Sequence, residues 1–168
     1  MIQLFGGRGH SSLAFLHTVL SLTHQQKSLP TIARTPLGKP FFPDHPEIQF
    51  SLSHSGSLLL CAVDSRPVGA DIEIIRPRKE QLMGYALTKE EYDELNALGG
   101  DWGAFYRLWT RKEAWAKYLG DGIGRHIRET PPQSGLSFGY YAGEGWRAAV
   151  CGVSPAPEEI RWLEGAGG

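Results

Sequence analysis

Cysteine is scarce. The 168 residues hold two, Cys61 and Cys151, each inside an apolar run and far apart in sequence. Neither stands in a C-x-x-C or Cys/His spacing, so the pattern argues against a zinc site and predicts two buried thiols in a reducing compartment. An excess of one charge is also missing: 17 Lys+Arg stand against 18 Asp+Glu, a formal net charge of −1. That excludes a broadly basic nucleic-acid binder while leaving room for a local basic pocket. No apolar run approaches the roughly 18 to 20 residues of a membrane span. The partly apolar stretch Ser11 to Thr23 is interrupted by His17, flanked by His10 and His24, and preceded only by Arg8. It makes a poor secretory signal and a better amphipathic helix, and a cytoplasmic chain is expected. There is no repeat of fixed period, and the only low-complexity segment is the tail Gly165 to Gly168, which should fray.

What is present suits a globular protein. Apolar residues make up 41% and aromatics 11% of the chain, a length that fits one domain or two small, tightly joined halves. A Gly-rich opening (Gly6, Gly7, Gly9) leads to a helix expected from Ser11 to Leu22, with Leu13, Leu16 and Leu20 at helical spacing. Pro30 to Pro46, with five prolines, reads as loop. Ile48, Phe50 and Leu52 alternate with polar residues as in a half-buried strand, and Ser57 to Val63 reads as a central one. Ser53-His54-Ser55-Gly56 is the expected turn between them, and Val68 to Ile75 a third strand. Thr88-Lys89-Glu90-Glu91 is a capping box, so a helix should run from Lys89 to Leu98. A longer helix should span Trp102 to Leu119 and stop at Gly120, with two or three short strands between Gly135 and Val153. Short turns between strands favour antiparallel sheets and an α+β class.

Two segments carry carboxylates at suggestive spacings. In Val68-Gly69-Ala70-Asp71-Ile72-Glu73-Ile74, strand alternation puts Asp71 and Glu73 on one face, roughly 7 Å apart at the backbone, where both can reach one cation. Oxygen ligands of this kind suit Mg²⁺ completed by a substrate phosphate; a solvated acidic strand face has the same pattern. In Trp109-Thr110-Arg111-Lys112-Glu113-Ala114-Trp115-Ala116-Lys117, Glu113 and Lys117 share a helix face, which alone is equally compatible with a surface ion pair. Ser53-His54-Ser55-Gly56 offers an imidazole, hydroxyls and flexible backbone where an anion could be held.

Taken in order, these segments resemble the 4′-phosphopantetheinyl transferases of the larger, pseudo-dimeric type exemplified by surfactin synthetase activators. The resemblance rests on Gly38-Lys39-Pro40, Phe50 to Gly56, Val68 to Glu73 and the W-x-x-K-E-A-x-x-K pattern from Trp109 to Lys117. It extends weakly to Gly122-Ile123 and covers roughly residues 8 to 125. It implies an α+β fold of two similar α/β halves, 1–75 and 76–168, whose antiparallel sheets pack about a pseudo-twofold axis. It also implies transfer of the phosphopantetheine arm of coenzyme A to a serine of an apo acyl or peptidyl carrier protein, with release of 3′,5′-ADP. Asp71, Glu73 and Glu113 then match the Mg²⁺ ligands, with Mn²⁺ as a substitute. Glu113 also matches the base for the carrier serine, and Lys117 the residue that neutralises the phosphates and assists the leaving group. Ser53 and His54 match the phosphate-binding pair, Gly38-Lys39-Pro40 the adenine loop, and Ser12 a hydroxyl that contacts the 3′-phosphate. A monomer is expected, with no nucleic acid and no membrane among its partners.

The chain is shorter than this type, chiefly at the N-terminus, as in a compact form or one with a reduced N-terminal half. Only Arg8, Lys27 and Arg34 stand where the family has its 3′-phosphate-gripping basic residues. Two other functions share the same residues: a coenzyme A- or carrier-binding homologue with little catalysis, and an Mg²⁺-dependent phosphohydrolase.

Overall fold

A computed structural model describes residues 1–165. The tail 166–168, expected to fray, lies outside the described residues. In chain order the elements are β1 (Gln3–Arg8), α1 (Ser12–His24), β2 (Ala33–Arg34), β3 (Pro40–Phe41), β4 (Gln49–Ser55), β5 (Leu58–Asp64) and β6 (Val68–Ile74). There follow α2 (Gln81–Ala86), α3 (Lys89–Ala97), α4 (Trp102–Leu119), α5 (Ile123–His126), β7 (Ser137–Gly143), β8 (Trp146–Gly152) and β9 (Arg161–Leu163).

Among the described residues three sheets form, ordered β4-β5-β1-β9, β2-β3 and β6-β8-β7. All pairings are antiparallel except the parallel β1–β9 contact. Both larger sheets draw strands from either side of residue 75, since β6 pairs with β8 and β9 with β1. The fold is α+β.

Burial explains the layering. β5 is apolar from Leu58 to Val63, with Asp64 at its end, because both its faces are covered, which is why it carries no alternation. On one face Leu59, Cys61 and Val63 meet Phe15, Leu16, Val19 and Leu20 of α1. On the other, Leu58, Leu60 and Ala62 meet Val68, Ala70 and Ile72 of β6 and Ala148 and Val150 of β8. The far side of that second sheet packs on α4 through Ala114, Trp115, Ala149 and Cys151. The order is therefore helix, sheet, sheet, helix, with α4 as the outer layer and α2 and α3 packed beside it. Both cysteines are free and buried, as expected.

Helix ends follow their caps. Ser11 accepts from the Ala14 amide at 3.2 Å, and α1 stops at Gln25 in the left-handed region (φ 54°). Thr88 and Glu91 form the reciprocal capping box of α3. Asp101 caps α4, and Gly120 (φ 84°) ends it where the sequence placed the stop.

Several expectations need correction. Pro30 to Pro46 is not wholly loop: Ala33–Arg34 and Pro40–Phe41 pair as a two-residue ladder about Gly38 (φ 96°). Ser53, His54 and Ser55 belong to β4, and the turn is shifted to Gly56-Ser57, because Gly56 alone supplies a positive φ (58°). Leu13 is 54% exposed; the buried stripe of α1 runs through Phe15, Leu16, Val19 and Leu20 instead.

Candidate active site

Two adjoining cavities contain every residue that the resemblance matches to a metal, catalytic or coenzyme A-binding role. The larger, of about 620 Å³, is lined by Ser12 at the start of α1, Gly38, Lys39 and Pro40 around β3, His54 on β4 and Lys117 on α4. Ile32, Leu37, Phe50 and Ala116 give it apolar walls, and Arg34 contributes a second cation. A smaller cleft of about 340 Å³ is lined by Ser53, Asp71, Glu73 and Glu113. Leu52, His54 and Lys117 border both.

The cleft exists because α4 lies against β6. Gly69, Asp71 and Glu73 occupy alternate positions on one strand face. Gly69 has no side chain, and a methyl group there would overlap the Ala114 carbonyl oxygen and the Tyr118 amide nitrogen of α4. The missing Cβ lets the helix backbone touch the strand, which carries Glu113 and Lys117, one turn apart, to the carboxylates of β6.

Asp71, 3% exposed, is the centre of the cleft. Its Oδ1 accepts from Lys117 Nζ at 2.8 Å and from Ser53 Oγ at 2.7 Å, while its Oδ2 is buried without a partner. Lys117 Nζ also reaches the Leu52 carbonyl at 3.4 Å. Glu73 Oε2 accepts from Ser55 Oγ at 2.8 Å. Glu113 is half-buried and its pKa is pushed up to about 7, first by burial and then by the charge of Asp71, with Lys117 opposing. Burial and Asp71 also raise Glu73. Three carboxylates against one ammonium leave the cleft short of positive charge. Among the described residues, no three His, Cys, Asp or Glu side chains stand as a ready-made metal cage. The donor set nonetheless fits a hard divalent cation: it is all oxygen, and Asp71 Oδ2 is a buried acceptor lacking any hydrogen bond.

Other side chains around the cavities are already engaged. The Ser53 hydroxyl accepts from the Ile72 amide at 3.2 Å as well as donating to Asp71. Lys39 Nζ donates to the Tyr118 carbonyl at 2.9 Å, and burial lowers its pKa. The Lys39 stem lies over Gly120, so it straps the β3 loop to the end of α4. His54 is exposed at the mouth. Sequence reasoning missed Ser55 as a partner of Glu73. The signal was there, in the period-2 serines 51, 53 and 55 of a strand.

The family model described as the 4′-phosphopantetheinyl transferase superfamily matches residues 67–138, which include Asp71, Glu73, Glu113 and Lys117. The chain is 34% identical over 142 residues to 4′-phosphopantetheinyl transferase Sfp of Bacillus subtilis, covering 73% of this chain and 63% of that protein. It is 32% identical over 152 residues to 4′-phosphopantetheinyl transferase AcpT of Escherichia coli K12, covering 85% and 78%. With HetI of Nostoc it shares 40% identity over 96 residues, 52% of this chain and 40% of the relative. The chain thus spans under two thirds of the length of the Bacillus Sfp protein it matches. On the strength of the AcpT match, which takes in most of both chains, the chain belongs to the 4′-phosphopantetheinyl transferase superfamily.

Proposed function

We propose that this chain transfers the 4′-phosphopantetheine arm of coenzyme A to a serine of an apo acyl or peptidyl carrier protein, releasing 3′,5′-ADP. The observation that carries the reading is the meeting of Glu113 and Lys117 with Asp71 and Glu73 at the border of the larger cavity. A nucleotide held in that cavity has its charged end beside three carboxylates and a lysine.

Asp71, Glu73 and Glu113 would hold Mg²⁺ or Mn²⁺. When bound, the cation supplies neutralisation of pyrophosphate charge and polarisation of the phosphoryl group under attack. A serine hydroxyl is a weak nucleophile near neutral pH and needs a base. Glu113, which lines the cleft on α4 one turn from Lys117, is the carboxylate we assign to take its proton. The serine oxygen bonds to the phosphorus bearing the pantetheine arm, and the bond from that phosphorus to the oxygen of 3′,5′-ADP breaks. Lys117, on the border of both cavities, can follow the charge onto the leaving phosphate. His54 and Ser12, which line the larger cavity, are assigned to the phosphates, and Gly38-Lys39-Pro40 to the adenine base.

We place the enzyme in the cytoplasm as a monomer. Two free, buried thiols suit a reducing compartment. No described helix is long and apolar enough to cross a membrane.

The test is release of 3′,5′-ADP from coenzyme A. It should require both an apo carrier and a divalent cation, and Asp71→Ala should abolish it. Nucleotide release without carrier would instead identify a phosphohydrolase. Coenzyme A binding with no release would identify a binding homologue, and release that survives EDTA would contradict the metal.

A further inference from the structure

β4 and β6 are edge strands of different sheets. Their contacts advance together along both strands, from Ser51 with Ala70 to Ser53 with Ile72 and Ser55 with Ile74. The strands therefore run side by side in one direction, joined by side chains instead of a backbone ladder. The outward amides of β6 find serine hydroxyls: Ala70 N–H donates to Ser51 Oγ at 3.0 Å, Ile72 to Ser53 at 3.2 Å and Ile74 to Ser55 at 3.1 Å. A hydroxyl that accepts still has its own proton to give. Ser53 gives it to Asp71 and Ser55 to Glu73, the residue just before each donor amide. Ser51 stands in the same relation to Gly69, which has no side chain to receive it. The S-x-S-x-S of β4 thus reads the G-x-D-x-E of β6 one to one.

We propose that Ser53 and Ser55 are positioning residues for the two β6 carboxylates, acting by fixing which oxygen of each is occupied and which is left for a cation. A bond from a hydroxyl to an ionised carboxylate is short and strong, and it restricts a torsion that is otherwise broad. At Asp71 both Ser53 and Lys117 take Oδ1, and Oδ2 is the atom left without a partner. At Glu73 Ser55 takes Oε2. Partners of this kind, one layer behind the ligands, typically carry about 10- to 100-fold in metal affinity. The inference rests on the proposal that these carboxylates hold a divalent cation, and it adds what prepares them.

The test is Mn²⁺ binding to the protein alone, followed by the spectrum of free Mn²⁺, with Mg²⁺ as competitor. Ser53→Ala and Ser55→Ala should each weaken Mn²⁺ binding by roughly 10- to 100-fold. Ser55→Thr, which keeps the hydroxyl, should restore it. Ser51→Ala removes the same kind of amide acceptor with no carboxylate behind it, so it should lower the melting temperature while leaving Mn²⁺ affinity near that of the unmodified protein. Should Ser53→Ala not fold, Ser55→Ala at its half-buried site carries the comparison. A folded Ser55→Ala with undiminished Mn²⁺ affinity, or an equal loss in Ser51→Ala, would overturn the proposal while leaving the cation site standing. An unmodified protein that takes up no Mn²⁺ would overturn both.

Discussion

Gly69 lies beneath Ala114, so close that a side chain at residue 69 would occupy the space of the Ala114 carbonyl oxygen. That contact sets the distance between the acidic strand and the helix that carries Glu113 and Lys117. It ties a backbone requirement directly to the site.

Gly69→Ala should therefore impair both activity and stability. The methyl group must push α4 away from β6, at a cost of about 1–3 kcal/mol for an overpacked interior. A displacement near 1 Å at Glu113 and Lys117 should reduce turnover by about 10²-fold. Chemical denaturation and kcat on the same preparation check the pair of effects. Normal turnover would show that the helix position is not what the glycine protects.

Glu113 should show a conflict between stability and function. Its carboxyl has a raised pKa in the folded, metal-free protein, so its charged form is penalised by folding. The penalty is absent below the ordinary carboxylate range near 4.5, grows as pH rises, and levels off above about 7. Glu113→Gln should thus stabilise the metal-free protein by an amount on the order of 1–3 kcal/mol at pH 8 and by little at pH 4. The same variant should lose about 10²- to 10⁴-fold in transfer. Melting curves across pH, taken with a chelator present, test the sign; a variant less stable at pH 8 would refute it.

Much of this was readable from residue patterns, and the exceptions share a cause. α3 and α4 announced themselves through a capping box and a terminal glycine, both local signals. α2, α5, β2, β3 and β9 have six residues or fewer, too short for any period to emerge, and they exist because of what they pack against or pair with. The placement of Asp71 and Glu73 on one strand face was legible from alternation. That Asp71 would be buried, hydrogen-bonded by Ser53 and paired with Lys117 was not, because those partners come from a strand of another sheet and from a helix 46 residues on. His54 looked like a turn residue since serine and glycine surround it, yet only Gly56 has the backbone freedom the turn uses.

Lys112, one residue before Glu113, points away from the cleft and into the core beside α2 and α3. It is fully buried, pairs with the equally buried Glu91 at 2.6 Å, and donates to the Ala86 and Ile127 carbonyls at 3.1 and 2.9 Å. It fastens α4 to α2, α3 and the segment after α5. Lys112→Met should cost about 3–5 kcal/mol, because Glu91 is left charged in the interior. Lys112→Met combined with Glu91→Leu should cost less than the sum of the two single changes, as denaturant melts of all three variants would show. Additive losses would mean that the two residues stabilise the fold independently.

We propose that the segment after β6 docks an acidic carrier protein. Arg76, Arg78 and Lys79 are all exposed, Tyr85 is 59% exposed, and Leu82, Met83 and Leu87 anchor the segment to the core. Reversing the three charges should lower kcat/KM for the carrier, with the defect shrinking as salt screens the field. Coenzyme A binding should be unchanged. An unaltered carrier KM at low salt would place docking elsewhere.

Transfer of phosphopantetheine to a carrier serine is read in one step by the intact mass of the carrier. A panel of apo carriers incubated with this protein, coenzyme A and Mg²⁺ should yield at least one whose mass rises by a single phosphopantetheine, with the gain lost on replacing the acceptor serine by alanine. Carriers of unchanged mass throughout, with coenzyme A bound or its pyrophosphate cleaved, would contradict it.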